Sequence, residues 1–103
     1  MKTYQLIRKA STPAVGDAIT TSTTSKVDAE GYLRTFGAGL VGGGSATVKI
    51  QASNDNLSWL DLATISLNAT TTSEGFAAEV PWVWVRANVT AVTTGSVDVV
   101  MST

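Results

Sequence analysis

Hydrophobic and polar residues alternate along much of this chain, and the alternation is cleanest between Ala46 and Ser53. Every second residue from Ala46 to Ala52 is apolar, and the residues between them are polar. A period of two predicts a half-buried strand, because successive side chains of a strand point to opposite faces. Residues 82–92 repeat the pattern with valine and alanine on one side. The other side carries two tryptophans and an arginine at strand spacing.

Shorter stretches of the same kind predict strands at residues 3–9, 32–39, 59–67, 75–80 and 96–101, separated by turns rich in Gly, Asn and Thr. Residues 18–26 fit either an edge strand or an arm that orders on assembly. No stretch keeps the spacing of an amphipathic helix. The prediction is therefore an all-β fold in one domain, residues 1–103: an antiparallel β-sandwich, jelly-roll or immunoglobulin-like, with seven to eight short strands and no significant helix.

Charged residues make up only 15% of the 103 residues, well below the usual quarter. A Thr-rich β-surface explains this, and so does a surface covered by neighbouring subunits. The net charge of −1 gives no basic face for phosphates, so we expect no nucleic-acid partner. The first ten residues lack a secretory signal and no apolar run is long enough for a membrane span, so we expect a protein made in the cytosol without a membrane partner.

The residues that usually carry catalysis are scarce in this sequence. It contains no histidine and no cysteine, and its eight acidic residues are scattered. We therefore expect no enzyme activity, no cofactor and no metal. The glycine run 42–44 lacks the Lys-Ser/Thr that a phosphate loop requires, and it predicts a turn. Residues 54–56, Asn-Asp-Asn, fit an Asx-type turn better than a calcium loop.

The polar side of residues 82–92 is the strongest candidate for binding. Trp82, Trp84 and Arg86 share one face if the valines between them face the core. Aromatic residues and arginine are enriched at the centres of protein interfaces. Three interpretations stay open: a protein interface, packing inside the chain, or a platform for a ligand such as a sugar.

The Gly-rich turn, ATVKIQASNDNLSWLDLATISL and EVPWVWVRANVTAVTTGSVDVVM together resemble small β-sandwich virion proteins of tailed bacteriophages. That resemblance implies a capsid decoration (cement) protein that stabilises the shell by bridging neighbouring subunits. It further implies the major capsid protein as partner, a homo-oligomer with a trimer favoured, and location in the virion after assembly in the host cytoplasm. The expected interface residues are Trp84, Arg86, Asn88, Trp82, Tyr32 and Phe36.

The Ser/Asp turn leading to a tryptophan is also similar to the discoidin-type, galactose-binding sandwich. This second resemblance implies a carbohydrate-binding or tail- or fibre-associated module. Its expected ligand residues are Asn54, Asp55, Asn56 and Trp59. The chain is short for that family and lacks its His and Arg clusters, so the carbohydrate module is the alternative.

Overall fold

A computed structural model describes residues 3–16, 18–20, 33–79 and 84–102, and these residues form strands and no helix. The strands are β1 (Thr3–Ala10), β2 (Ala14–Val15), β3 (Ile19–Thr20), β4 (Leu33–Val41), β5 (Ala46–Ser53), β6 (Leu60–Leu67), β7 (Ser73–Glu79), β8 (Trp84–Val92) and β9 (Ser96–Ser102). The described part thus holds nine strands instead of seven to eight, because β2 and β3 are two-residue strands.

The strands form two sheets in which every described pairing is antiparallel. Sheet A has the order β1-β9-β4-β7. Sheet B has the order β2-β8-β5-β6, with β3 also paired to β8. Buried residues of both sheets belong to a single hydrophobic core. The predicted antiparallel β-sandwich is therefore confirmed.

The core is built from the alternate residues of the long strands, as the sequence pattern predicts. Val48 and Ile50 of β5, Val85 of β8, and Val97 and Val99 of β9 are fully buried. Burying a side chain of this size stabilises a fold by roughly 1.5–3 kcal/mol relative to leaving it exposed. These residues fix which side of each strand faces outward.

Strand β1 departs from the predicted alternation. Leu6 and Ile7 were expected on opposite faces, but both are buried. The pairing of β1 with β9 shifts register between Gln5 and Ile7 and again between Ile7 and Ala10. A bulge of this kind adds a residue to one strand and turns the side chains after it. Lys9 accordingly adopts a positive φ of 49°.

The glycine run 42–44 is a turn, as predicted, and each of its glycines has a positive φ. This turn follows β4 and lies against Gly95 in the β8–β9 turn. A Cβ on Gly95 would lie 2.2 Å from the carbonyl oxygen of Val41, so the two turns meet only because side chains are absent. Each of the two turns connects one sheet to the other, so the chain crosses between the sheets twice at this end of the sandwich.

Several expectations fall on residues beyond the described ranges. Of residues 18–26, Ile19 and Thr20 pair with β8, whereas residues 21–26 lie outside the described residues. Tyr32 and Trp82, both expected at an interface, also lie outside them. Within the described ranges, no helix is long and apolar enough to span a membrane.

Candidate functional site

The outward face of sheet B is where the predicted interface residues of β8 lie. Trp84, Arg86 and Asn88 are half-buried, whereas Val85 and Ala87 between them, and Val89 after them, are buried in the core. Because successive side chains alternate, anchoring the valines turns the other three residues outward. The structure therefore places the three on one face, where the sequence pattern predicts them.

Arg86 is joined to the two neighbouring strands by a chain of hydrogen bonds. Its Nε donates to Oε1 of Gln51 at 2.8 Å, and Nε2 of Gln51 donates to Oδ1 of Asp61 at 2.8 Å. Nζ of Lys49 donates to Oδ2 of Asp61 at 3.1 Å. Register explains the chain, because Gln51 lies opposite both Arg86 on β8 and Asp61 on β6.

Trp59, just before β6, completes this group. The guanidinium carbon of Arg86 lies 4.0 Å from the centre of the Trp59 ring. Stacking of this kind contributes about 0.5–2 kcal/mol, depending on how far the pair is removed from water. We call Lys49, Gln51, Trp59, Asp61 and Arg86 the Arg86 network. Its members lie on or beside three strands and are linked by three hydrogen bonds and one stacking contact.

The charges of the Arg86 network orient its side chains more than they stabilise the fold. The hydrogen bond from Gln51, followed by that from Lys49, lowers the pKa of Asp61. The carboxylate therefore stays ionised and keeps accepting both bonds. The Lys49 and Asp61 side chains are 37% and 44% exposed, and an ion pair this open to water adds little to stability. The network mainly gives the surface a fixed shape.

The loop between β5 and β6 is an Asx-type turn, as predicted. Oδ1 of Asp55 accepts hydrogen bonds from the backbone N–H groups of Leu57 and Ser58, both at 2.8 Å. It also accepts one from the Ser53 hydroxyl at 2.9 Å. The Ser58 and Leu57 bonds are the main reason that the pKa of Asp55 is lowered. Oδ1 of Asp55 is therefore occupied by hydrogen bonds within its own turn.

The same loop exposes Leu57, a residue that the sequence pattern did not single out. Leu57 is 83% exposed at the tip, and Leu60 at the start of β6 is 45% exposed. Asn54 and Asn56, candidates for ligand binding, are exposed in this loop as well. The loop therefore presents a mixed surface of leucine and amide groups at one end of sheet B.

The predicted interface role of Phe36 does not fit its place in the structure. Phe36 is only 3% exposed and stacks on Phe76, with ring centres 5.0 Å apart. Alternation along β4 puts Arg34 and Phe36 on the same side of the strand, and that side faces the core. Arg34 is buried too, and this burial lowers the pKa of its guanidinium.

Three members of the Arg86 network were not predicted as site residues: Lys49, Gln51 and Asp61. The pattern places Lys49 and Gln51 on the polar side of β5, but it does not pair them with other strands. The pairing depends on a register shift between Ile50 and Gln51, which leaves Leu62 unpaired in β6. No local signal in the sequence reports that shift. Among the described residues, no three acidic, histidine or cysteine side chains lie together in a way that could hold a metal ion.

No protein-family model matches the sequence, and no curated protein matches it. Solved structures do match. The crystal structure of the PBSX exported protein XepA aligns with 98% of this chain at a TM-score of 0.71 and 13% identity. That of the SPBc2 prophage-derived protein YomS aligns with 97% at a TM-score of 0.63 and 15% identity. The chain shares its fold with phage-derived proteins.

The two alignments differ in how much of the neighbour they cover. They span 89% of YomS but only 36% of XepA, so this chain corresponds to about a third of XepA. Identities this low show the fold alone. At that level they confirm the resemblance to β-sandwich proteins of phages that the sequence suggested.

Proposed function

We propose that this chain is a structural protein of a phage particle, and specifically a decoration protein that binds the outer surface of the capsid. The observation that carries the proposal is the fold shared with XepA and YomS, both phage-derived. A decoration protein acts by binding, so no catalytic group is required. Its partner would be the major capsid protein.

The face that we assign to capsid binding is the outward face of sheet B, with Trp84, Arg86 and Asn88 as the contact residues. The Arg86 network supports this assignment, because the side chains of Arg86 and Gln51 are already ordered before a partner arrives. Ordering a long side chain on binding costs about 0.5–1.5 kcal/mol, and a preorganised face avoids most of it.

Bridging neighbouring capsid subunits would stabilise the shell by mass action. A ligand that binds only the assembled state shifts the equilibrium toward that state. A homo-oligomer, with a trimer favoured, would touch several subunits at once, which raises its effective concentration even when each contact is weak. The low charge of the chain, 15% of its residues, suits a protein partly covered by neighbours.

Co-sedimentation with phage heads that lack the protein tests this proposal, with the mass of the free protein measured in parallel. We expect saturable pelleting at a fixed ratio to capsid protein. Trp84→Ala and Arg86→Ala should weaken it by about thirtyfold if they are interface hot spots. Thr35→Ala, on the exposed face of sheet A, is the matched control and should pellet normally.

Two results would overturn parts of the proposal. Absence of pelleting by the original protein contradicts capsid decoration, and normal pelleting by both folded variants contradicts the assigned face. Because XepA is named an exported protein, release into the medium is the competing location. Mass spectrometry of purified particles and of the medium separates the two.

The carbohydrate alternative would use Trp59 or Trp84 as a stacking surface. One face of the Trp59 ring is covered by Arg86, and Asp55 is committed to its own turn, so the structure leaves less for a sugar than the sequence suggested. Glycan-array binding that disappears in Trp84→Ala would favour this alternative over the decoration protein.

A further inference from the structure

Among the described residues Arg86 forms no ion pair, although it belongs to a network that contains a carboxylate. The Arg86 network holds two cations, Lys49 and Arg86, and one carboxylate, Asp61. Nζ of Lys49 and Oδ2 of Asp61 form an ion pair at 3.1 Å. Gln51 stands between Arg86 and Asp61, because it accepts a hydrogen bond from the first and donates one to the second. One positive charge, that of Arg86, is therefore left over.

Most of the hydrogen-bonding capacity of Arg86 is also unused. A guanidinium has five N–H donors, and its planar fork matches the two oxygens of a carboxylate. Nε donates to Gln51, and no described residue accepts a hydrogen bond from Nη1 or Nη2. Arg86 is half-buried, so part of its side chain stays open to a partner. Its two terminal nitrogens can thus donate to both oxygens of an incoming carboxylate.

Two contacts orient the guanidinium. The bond from Nε to Gln51 uses one of its edges, and stacking on Trp59, whose ring centre lies 4.0 Å from the guanidinium carbon, covers one of its faces. The edge formed by Nη1 and Nη2 remains. An arginine that is oriented before binding loses less conformational entropy when it forms hydrogen bonds. Arg8 of β1 differs, since it is exposed and makes neither kind of contact with the described residues.

The charges of the Arg86 network favour a carboxylate over a phosphate as the group that binds. A phosphate group carries about 1.5–2 negative charges, whereas the network has a single positive charge in excess. Asp61, which is bonded to the same glutamine as Arg86, would repel the additional charge. A carboxylate carries one charge, and its bidentate pairing with arginine gives strong hydrogen bonds.

The residues around Arg86 favour a protein as the source of that carboxylate. Trp84 and Asn88 lie two residues before and after Arg86 on the same face of β8, and all three are half-buried. Tryptophan and arginine are enriched at the centres of protein interfaces. A protein that covers these side chains excludes water, and a hydrogen bond becomes stronger as the local dielectric falls.

We propose that Arg86 is the receptor for a carboxylate, the side chain of an aspartate or glutamate of the protein partner. Nη1 and Nη2 would donate to its two oxygens while Nε stays bonded to Gln51. This inference rests on the proposed function, in which the outward face of sheet B binds the capsid, and it adds the chemistry of the residue that the partner presents.

Nuclear magnetic resonance of the ¹⁵N-labelled full chain tests carboxylate recognition without any partner. Sodium acetate is the probe, sodium chloride at equal ionic strength is the control, and Arg8 is the internal comparison. Acetate should shift the Nε–H signal of Arg86 and the indole signal of Trp59. It should bind Arg86 about two- to tenfold more tightly than Arg8, the gain expected from preorganisation. Gln51→Ala should reduce that ratio, because the guanidinium then loses its Nε bond.

Cross-linking to phage heads tests whether the carboxylate belongs to the partner protein. A water-soluble carbodiimide joins a lysine amine directly to a neighbouring carboxylate, whereas arginine does not react. Arg86→Lys should therefore become joined to an aspartate or glutamate of the capsid protein, which mass spectrometry identifies. Arg8→Lys is the matched control and should not be joined. The Lys49–Asp61 pair within the chain verifies that the reagent acts.

Three results would overturn the proposal. They are acetate binding no tighter at Arg86 than at Arg8, inorganic phosphate binding Arg86 more tightly than acetate does, and no cross-link from Arg86→Lys bound to heads. If Arg86→Lys does not pellet, heads with amidated carboxylates replace the cross-link, and undiminished pelleting of the original protein with them overturns the proposal as well. Failure of the original protein to pellet with untreated heads contradicts capsid decoration instead, and the acetate titration then decides carboxylate recognition on its own.

Discussion

The two outer faces of this sandwich are built on the same alternation but present opposite surfaces. The face of sheet B carries long side chains that are tied together, with Arg86 bonded to Gln51 and stacked on Trp59. On sheet A, β4 is one of two inner strands and contributes Gly37 and Gly39 to the outer face. One face is defined by side chains and the other largely by backbone.

This difference shows two ways in which a small β-sandwich can prepare a surface for a partner. Sheet B immobilises its side chains within the folded chain, so a partner meets a fixed pattern of ring, cation and amide. Sheet A leaves backbone and open space, so a partner supplies its own side chains. The first surface suits recognition by shape, and the second suits close approach by another backbone or a ligand.

The largest effect that tests this comparison is on sheet A. A Cβ on Gly75 would lie 2.5 Å from the carbonyl oxygen of Phe36, so Gly75→Ala forces β4 and β7 apart. We expect a loss of about 1–3 kcal/mol in the free energy of unfolding, the usual cost of overpacking. Gly37→Ala, the matched control, should instead gain about 0.4–1 kcal/mol by restricting the unfolded chain.

Urea denaturation of both variants measures these changes. If Gly37→Ala destabilises as much as Gly75→Ala, both glycines are structural and the open space above Gly37 is only a by-product of folding. If Gly37→Ala stabilises the chain, then Gly37 lowers the free energy of unfolding and is not required to maintain the fold. That outcome sharpens the contrast with sheet B, where the outward side chains interact with each other.

A smaller effect concerns the coupling between outward side chains. A double-mutant cycle of Arg86→Lys and Trp59→Leu should give a coupling of about 1 kcal/mol, because lysine loses the planar stack on the ring. The comparison cycle on sheet A joins the hydroxyls of Thr3 and Ser102, which are 3.2 Å apart and exposed. Its coupling should be only about 0.2–0.5 kcal/mol.

Unfolding free energies from urea titrations of the single and double variants give both couplings. Equal couplings on the two faces would mean that the Arg86 network is no more ordered than ordinary surface contacts. The inference that the outer face of sheet B is preorganised would then have no support.

The sequence predicted the strands of sheet B well because alternation records burial directly. Val48 and Ile50 are buried where the pattern puts them, and Arg86 faces outward as expected. Alternation does not say which side of a strand meets the other sheet. This is why Phe36 was expected at an interface, although it lies in the core.

The Arg86 network could not be predicted from local sequence patterns, because it depends on the register between strands. Gln51 meets Asp61 only after the shift that leaves Leu62 unpaired. The consecutive burial of Leu6 and Ile7 has the same origin in β1. A bulge moves every later side chain to the other face, and its position is set by the partner strand.

The smallest expected effect is the pH dependence of stability contributed by Asp61. Hydrogen bonds from Gln51 and Lys49 hold its folded-state pKa below the unfolded value. The carboxylate therefore stabilises the fold above the unfolded pKa, and this contribution is lost as the pH falls through the folded-state pKa. Asp61→Asn should flatten the acid side of a plot of urea midpoint against pH. Some acid sensitivity should remain, because the pKa of Asp55 is lowered as well.

Gln51→Ala is the matched variant, because it removes one of the two hydrogen bonds to the Asp61 carboxylate and leaves the carboxylate itself in place. It should flatten the acid side of the plot in the same direction as Asp61→Asn but by less, since the bond from Lys49 remains. An acid side that Gln51→Ala leaves unchanged would mean that the bond from Gln51 does not persist in solution, and that the outward side chains of sheet B are held no more firmly than those of sheet A.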